Sequence, residues 1–272
     1  VESRGLGDVY KRQYLVSRVL MREHAMTSPR DLFVKENRLY LADTGASRVL
    51  IYQLDTGDCR EIGGETLSSP VGLFVDQNNE LYVADNGLGA VVKFSSEGEV
   101  LHRYDRPHSA AFGTETTYSP SKVAVNSSGT LYVVSDGSYD GMIQLDQNGE
   151  FLGYFGYNNN PITAWEYLQD LLFTDEMKAQ LFSRVPYSFG NVDIDTKGIL
   201  YSVTQSAEGN AIKKHDVAGL NLLAPNMEDE QDFVDVCIGT DGQIYAVTAT
   251  GLIFEYDLSL IHISEPTRLD VI

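Results

Sequence analysis

Five residues hold one equivalent position in five similar segments of this 272-residue chain: Asp31, Gly72, Lys122, Asn191 and Asp235. Gathered around one axis, the two carboxylates and the amide would offer oxygen ligands to a hard cation such as Ca²⁺. A bound ion of that kind activates water for ester hydrolysis. Lys122 opposes this reading, because an ammonium in the same ring repels the ion and adds its own desolvation cost. The same side chains can instead pair with one another, Lys122 with Asp31 or Asp235, and plug a channel. A third possibility is that they contact a ligand. Asp31, Lys122, Asn191 and Asp235 are therefore candidate binding residues, with no catalytic or metal role assigned to them.

Other chemistry-bearing residues give less. Asp43 and Asp85 recur in an "AD-x-G" pattern at strand ends, where an aspartate caps a turn through Asx bonds. His24, His102, His108, His215 and His262 stand in unrelated contexts, without HExxH or another ligand spacing. No GxSxG, P-loop or dinucleotide fingerprint occurs. Cys59 and Cys237 lie far apart, with neither zinc-site nor disulfide-framework spacing, and read as small apolar strand residues. No cofactor is implied.

The elements that must position the ring are repeated strands. "SPRDLFVKENRLYLADTGASRVLIYQL" from Ser28 aligns with "SPVGLFVDQNNELYVADNGLGAVVKF" from Ser69 and "SPSKVAVNSSGTLYVVSDGSYDGMIQL" from Ser119. Weaker copies begin at Tyr187 and Asp232. The anchoring residues Tyr40, Tyr82, Tyr132, Tyr201 and Tyr245 are spaced by 42, 50, 69 and 44, a blade-sized period with one insertion. Each unit holds three short β-branched and aromatic runs and a weaker fourth, broken by Asn/Gly turns. One small antiparallel sheet cannot bury both faces, so copies must stack radially. The expectation is an all-β β-propeller of four-stranded antiparallel blades over residues 14–257. The 43% hydrophobic content suffices for such a core.

The "P-x-D/G-L-F-V … LYVAD-x-G … V-x-x-F/Y" pattern of the first two units resembles NHL-repeat propellers. That resemblance implies six blades, of which five are recognisable, so the ring is expected to be incomplete. Tyr14–His24 is a candidate piece of the missing blade. The blade order with its insertion is also similar to propeller ectodomains of membrane proteins in gut Firmicutes, some with a Yip1-like membrane domain. This implies an extracytoplasmic domain of a bacterial membrane-associated protein, anchored through flanking segments. Gluconolactonase-type propellers, with an axial ion, supply the competing expectation of a Ca-dependent lactonase- or lyase-like hydrolase. Their residue pattern is not found around the axial positions.

The chain ends differ from the repeats. "SRGLGDVYKRQ" (Ser3–Gln13) and "LSLIHISEPTR" (Leu258–Arg268) back-translate to opposite strands of one DNA resembling a transposase library adaptor. Residues 1–13 and 258–272 are accordingly read as non-native scars and kept out of the fold argument.

The insertion, "ITAWEYLQDLLFTDEMKAQLFSRVP" from Ile162 to Pro186, breaks the strand rhythm. Thr163 and Glu166 form a capping-box pattern, and apolar residues then recur at helical spacing. A short helical hairpin on one rim is expected, offering Trp165, Tyr167 and Phe182 as candidate binding residues; packing on the blades is the alternative use of the same stripe.

The formal net charge of −19 disfavours a nucleic-acid partner and an anionic lipid surface. Taken together, the sequence points to a non-catalytic binding or scaffolding propeller with a protein or glycan ligand at one face.

Overall fold

The computed structural model describes residues 19–114, 116–156, 188–204, 211–223, 232–256 and 267–268. They form a β-propeller of five antiparallel sheets. Blade one holds β1 (Pro29–Lys35), β2 (Arg38–Asp43), β3 (Arg48–Gln53) and β4 (Cys59–Gly63). Blade two holds β5 (Pro70–Val75), β6 (Leu81–Asp85), β7 (Ala90–Phe94) and β8 (Val100–Tyr104). Blade three holds β9 (Pro120–Val125), β10 (Leu131–Ser135), β11 (Met142–Leu145) and β12 (Phe151–Phe155). Blade four holds β13 (Phe189–Ile194), β14 (Leu200–Thr204) and β15 (Ile212–His215). Blade five holds β16 (Phe233–Ile238), β17 (Ile244–Thr248), β18 (Leu252–Tyr256) and β19 (Thr267–Arg268).

Among the described residues blade four has three strands, extended by an isolated bridge between His215 and Asn221. The two-residue β19 pairs with β18 and lies within the adaptor-like segment 258–272. The helical insertion, with Trp165, Tyr167 and Phe182, lies outside the described residues, as do residues 1–13 and Tyr14–Arg18 of the proposed blade remnant.

Hairpin chemistry repeats from blade to blade. Asp76 Oδ1 accepts the Asn78 and Glu80 N–H groups at 2.8 and 3.0 Å. Asn126 does the same for Ser128 and Thr130, and Asp195 for Lys197 and Ile199. Each is an Asx turn that ends an inner strand. At the fourth position, Gly129 (φ 81°) and Gly198 (φ 83°) adopt the left-handed backbone that a Cβ would penalise.

The blades pack heterologously. Strand side chains alternate between two faces, so Tyr40, Ala42 and Ile51 of blade one present one face to Leu73 and Val75 of blade two. Phe74, Tyr82 and Ala84 meet Val123 and Val125 in turn, and Tyr201 and Val203 meet Val236. The first four anchoring tyrosines fill these interfaces, whereas Tyr245 of the last blade is half-buried.

The inner strands lie side by side in the order β1, β5, β9, β13, β16. At one register position Leu73, Val123, Val192 and Val236 are each at most 5% exposed, because the preceding blade covers them. Their counterpart Leu32 is 63% exposed and Val34 beside it 54%. The face of blade one that would receive a preceding blade is thus a seam. Leu73→Ala should therefore cost about 2–5 kcal/mol, whereas Leu32→Ala should stay within about 0.5 kcal/mol of wild type. Urea unfolding of the two variants checks the contrast.

Candidate functional site

The five aligned positions owe their placement to a repeated irregularity. In each blade the inner strand shifts register just before the residue in question: between Pro29 and Asp31, between Pro70 and Gly72, at Lys122, between Phe189 and Asn191, and between Phe233 and Asp235. A β-bulge re-aims the side chain that follows it. The structure brings the charged and amide members together as two pairs. Lys122 Nζ lies 2.7 Å from Asp31 Oδ1, with both side chains largely buried. The Asn191 amide donates to Asp235 Oδ1.

Backbone N–H groups engage several of the same side chains. Asp31 Oδ2 accepts the Leu73 N–H at 2.7 Å, Asp235 Oδ1 the Val236 N–H at 2.7 Å, and Asn191 Oδ1 the Val192 N–H at 2.6 Å. Gly72 has no side chain because none fits: a Cβ there would lie 2.3 Å from the Ser121 carbonyl oxygen and 2.9 Å from Lys122 Cα. Burial raises the Asp235 carboxyl above its ordinary pKa; Lys122 opposes that shift and Asp31 adds to it. A Ca²⁺ ion does not suit this arrangement, since the Lys122 ammonium is bound to Asp31 and the Asn191 amide nitrogen faces Asp235.

The opposite mouth of the channel is built differently. A cavity of about 950 Å³ opens there, walled by the ends of the inner strands and their hairpins and, on its open side, by Leu32 and Val34 of the uncovered blade-one face. Lys35, Asp76, Asn126 and Asp195 stand at the ends of β1, β5, β9 and β13 and line it. Asp195 uses Oδ1 for its turn, and Asp76 likewise, with Oδ2 of Asp76 3.4 Å from the Tyr82 hydroxyl that donates to it. The turns thus fix each side chain while leaving a second polar atom beside the cavity. Lys93 and Glu80 form an ion pair of 2.6 Å on the same wall, with the ammonium 5.2 Å from the Tyr82 ring centroid.

Between the two mouths, two residues beyond the axial positions, stand Phe33, Phe74, Ala124, Asp193 and Cys237. All except Ala124 line the cavity. Asp193 accepts the Ile194 N–H at 2.8 Å and the Ile238 N–H of the next blade at 2.8 Å. Burial pushes its carboxyl up to about 6, against the two N–H bonds and with help from Asp235 and Asp195. The Cys237 thiol, on an exposed residue, has its pKa raised by desolvation of the group, with Asp193 and Asp235 adding to the shift.

The recurrent aspartates hold the scaffold. Asp43 is fully buried and accepts the Thr27 and Ser28 N–H groups at 2.8 and 3.0 Å and the Arg48 guanidinium at 3.2 Å. Burial alone would raise its pKa, but these donors hold it below the ordinary carboxylate value. Asp85 accepts the Ser68, Ser69 and Leu88 N–H groups at 2.7–2.9 Å. Both carboxylates tie the second strand to the segment leading into the first, which is a wider role than a local turn cap.

His215 and Ser202 are buried together. His215 Nδ1 lies 3.1 Å from the Gly219 carbonyl oxygen, so that nitrogen carries the proton, and Nε2, 2.7 Å away, accepts from Ser202 Oγ. Among the described residues no carboxylate bonds to the ring, and both side chains are buried, so the pair lacks the geometry of a hydrolytic dyad. Among the described residues, no group of three or more His, Cys, Asp or Glu side chains is arranged to hold a metal ion.

Sequence reasoning located the axial positions and missed the cavity. Two signals could have found it: the D/N-x-x-G hairpins that follow β9 and β13, and the alternation that puts Phe33, Phe74 and Asp193 on the same side as the axial residues.

No protein-family model matches the chain, and no curated protein matches it. Solved structures do. A streptogramin B lyase structure is similar with a TM-score of 0.57 and 12% identity, covering 90% of this chain and 70% of that chain. Virginiamycin B lyase from Staphylococcus aureus gives a TM-score of 0.58 at 10% identity, covering 91% of this chain and 72% of that one. The β-propeller domain of Myceliophteria thermophila Cps50 (Swd1) gives 0.58 at 11% identity, covering 86% and 66%. Identities this low establish the fold and leave function to the site; the chain has the β-propeller fold.

Proposed function

We propose that this chain is a binding propeller whose ligand, a protein or a glycan, is recognised at the hairpin mouth of the channel. One contrast carries the reading: at the axial end Lys122 pairs with Asp31 and Asn191 with Asp235, whereas at the hairpin mouth Asp76, Asn126 and Asp195 are held by turns around a cavity of about 950 Å³. Cavities of this size with a few fixed polar groups are the usual form of ligand sites. In this account Asp31, Lys122, Asn191 and Asp235 are a plug that joins blades across the axis. The exposed face of blade one supports a ring completed by a sixth blade, as the likeness to NHL repeats implies. An extracytoplasmic, membrane-tethered setting rests on the sequence resemblance; among the described residues no helix is long and apolar enough to cross a membrane.

The lyase neighbours make a hydrolytic or lyase activity the competing reading. It would use the axial end, where the residues present do not suit a cation. The binding reading is tested by displaying peptide and glycan libraries to the immobilised chain. Asp76→Asn combined with Asp195→Asn keeps both turn acceptors but replaces the second oxygen with a donor. Ligands captured by the wild-type chain should be lost by this variant and kept by Lys122→Met. Capture insensitive to the mouth and abolished by Lys122→Met would return function to the axial end.

A further inference from the structure

We propose that the middle layer of the channel is a site for an organic cation, an alkylammonium or guanidinium group, reached from the hairpin mouth. This rests on the binding reading above and names the ligand group that the cavity takes.

Three observations carry it. First, the layer is apolar except for one carboxylate: Phe33, Phe74, Ala124 and Cys237 share it with Asp193. Phe33 and Phe74 pack edge-to-face with centroids 5.5 Å apart, so the two rings stand at a steep angle on one side of the cavity that Asp193 also lines. A carboxylate with aromatic walls is the composition that attracts a desolvated cation, through charge on one side and ring quadrupoles on the other.

Second, Asp193 receives only neutral donors. Its bonds come from the backbone N–H groups of Ile194 and Ile238, and its charged neighbours Asp235 and Asp195 are both acids. Counting the axial end and the mouth with it, the carboxylates of Asp31, Asp76, Glu80, Asp193, Asp195 and Asp235 outnumber the ammonium groups of Lys35, Lys93, Lys122 and Lys197, of which Lys122 is bound to Asp31 and Lys93 to Glu80. A cation arriving beside Asp193 meets uncompensated negative charge.

Third, the mouth is permissive. Its lysines are occupied or peripheral: Lys93 is paired with Glu80, Lys35 donates to the Asp76 carbonyl oxygen, and Lys197 is exposed on its hairpin. The chain's net charge of −19 would draw a cationic ligand in.

The cation can belong to a small amine or to a lysine or arginine side chain of a partner protein. Calorimetric titration of the full chain at pH 8 with n-butylammonium, and separately with a flexible lysine-containing peptide and its acetyl-lysine twin, distinguishes the two. Saturable one-to-one binding of n-butylammonium is expected, with n-butanol failing to bind. A preference for the lysine peptide over its acetylated twin assigns the cation to a protein. Asp193→Asn should weaken either ligand about tenfold or more, Phe33→Leu should weaken it less, and Asp216→Asn, in a hairpin away from the cavity, should leave it unchanged. Because Asp193→Asn removes a buried charge, its folding is checked by thermal melting beside the titration.

Failure of both cations to bind, or binding that Asp193→Asn does not alter, overturns the proposal. If library ligands are still lost by the Asp76→Asn/Asp195→Asn variant in that case, the hairpin mouth remains the binding face and only the cation assignment falls.

Discussion

Gly72→Ala is expected to be the most damaging glycine-to-alanine change among the described residues. The Cβ would sit 2.3 Å from the Ser121 carbonyl oxygen and 2.9 Å from Lys122 Cα, both backbone atoms of the neighbouring inner strand. No rotamer relieves a clash with backbone, so β5 and β9 must separate. The blade-two to blade-three interface then loses its fit over Phe74, Tyr82, Val123 and Val125, all now buried. Overpacking of this kind costs on the order of 3 kcal/mol, a large share of the roughly 5–15 kcal/mol that holds a domain. The same shift would drag Lys122 from Asp31. Chemical denaturation should show the loss, and a midpoint equal to wild type would mean that the inner strands are not packed as described.

The second large effect is a pair of opposed acid responses. His215 is 2% exposed and neutral; burial pushes its pKa down to about 4, against the Gly219 carbonyl bond. Its unfolded value is about 6.5. Between pH 6.5 and 4 the unfolded chain takes up a proton that the folded chain refuses, so stability present above pH 6.5 is lost as pH falls. The full span is worth about 3 kcal/mol. Asp193 acts with the opposite sign. Its folded pKa is raised to about 6 from 3.8, so the folded chain binds the extra proton and gains stability as pH falls through that window. Asp235, also raised, adds to this.

Wild-type stability should therefore change little between pH 6 and 4.5. Asp193→Asn should make the acid loss steep, and His215→Gln should reverse it into a gain. Urea melts at several pH values read both slopes. Parallel pH dependence in all three proteins would contradict the burial of either group.

How much of this was legible in the sequence depends on the range of the interaction. The blades were readable because each strand and hairpin is written locally: "LYVAD" and "NSSGT" specify β6 and the β9–β10 hairpin without reference to anything distant. The axial positions were readable because a repeat maps equivalent residues to equivalent places. The pairing of Lys122 with Asp31, and of Asn191 with Asp235, was open, since the partners lie 91 and 44 positions apart and the choice depends on how the blades are angled. The cavity was not legible. It arises from the space left between hairpins of several blades. Among the described residues the weaker fourth run of blade four is a single bridge at Asn221.

The central claim is that one end of the channel is a structural plug and the other a ligand mouth. Backbone amide chemical-shift mapping with n-butylammonium, and with ligands drawn from the peptide and glycan libraries, tests it most directly. The account predicts perturbations at Asp76, Asn126 and Asp193–Thr196, with Asp31, Gly72 and Lys122 unmoved. Perturbations confined to Asp31, Lys122, Asn191 and Asp235 would contradict it and place function at the axial end.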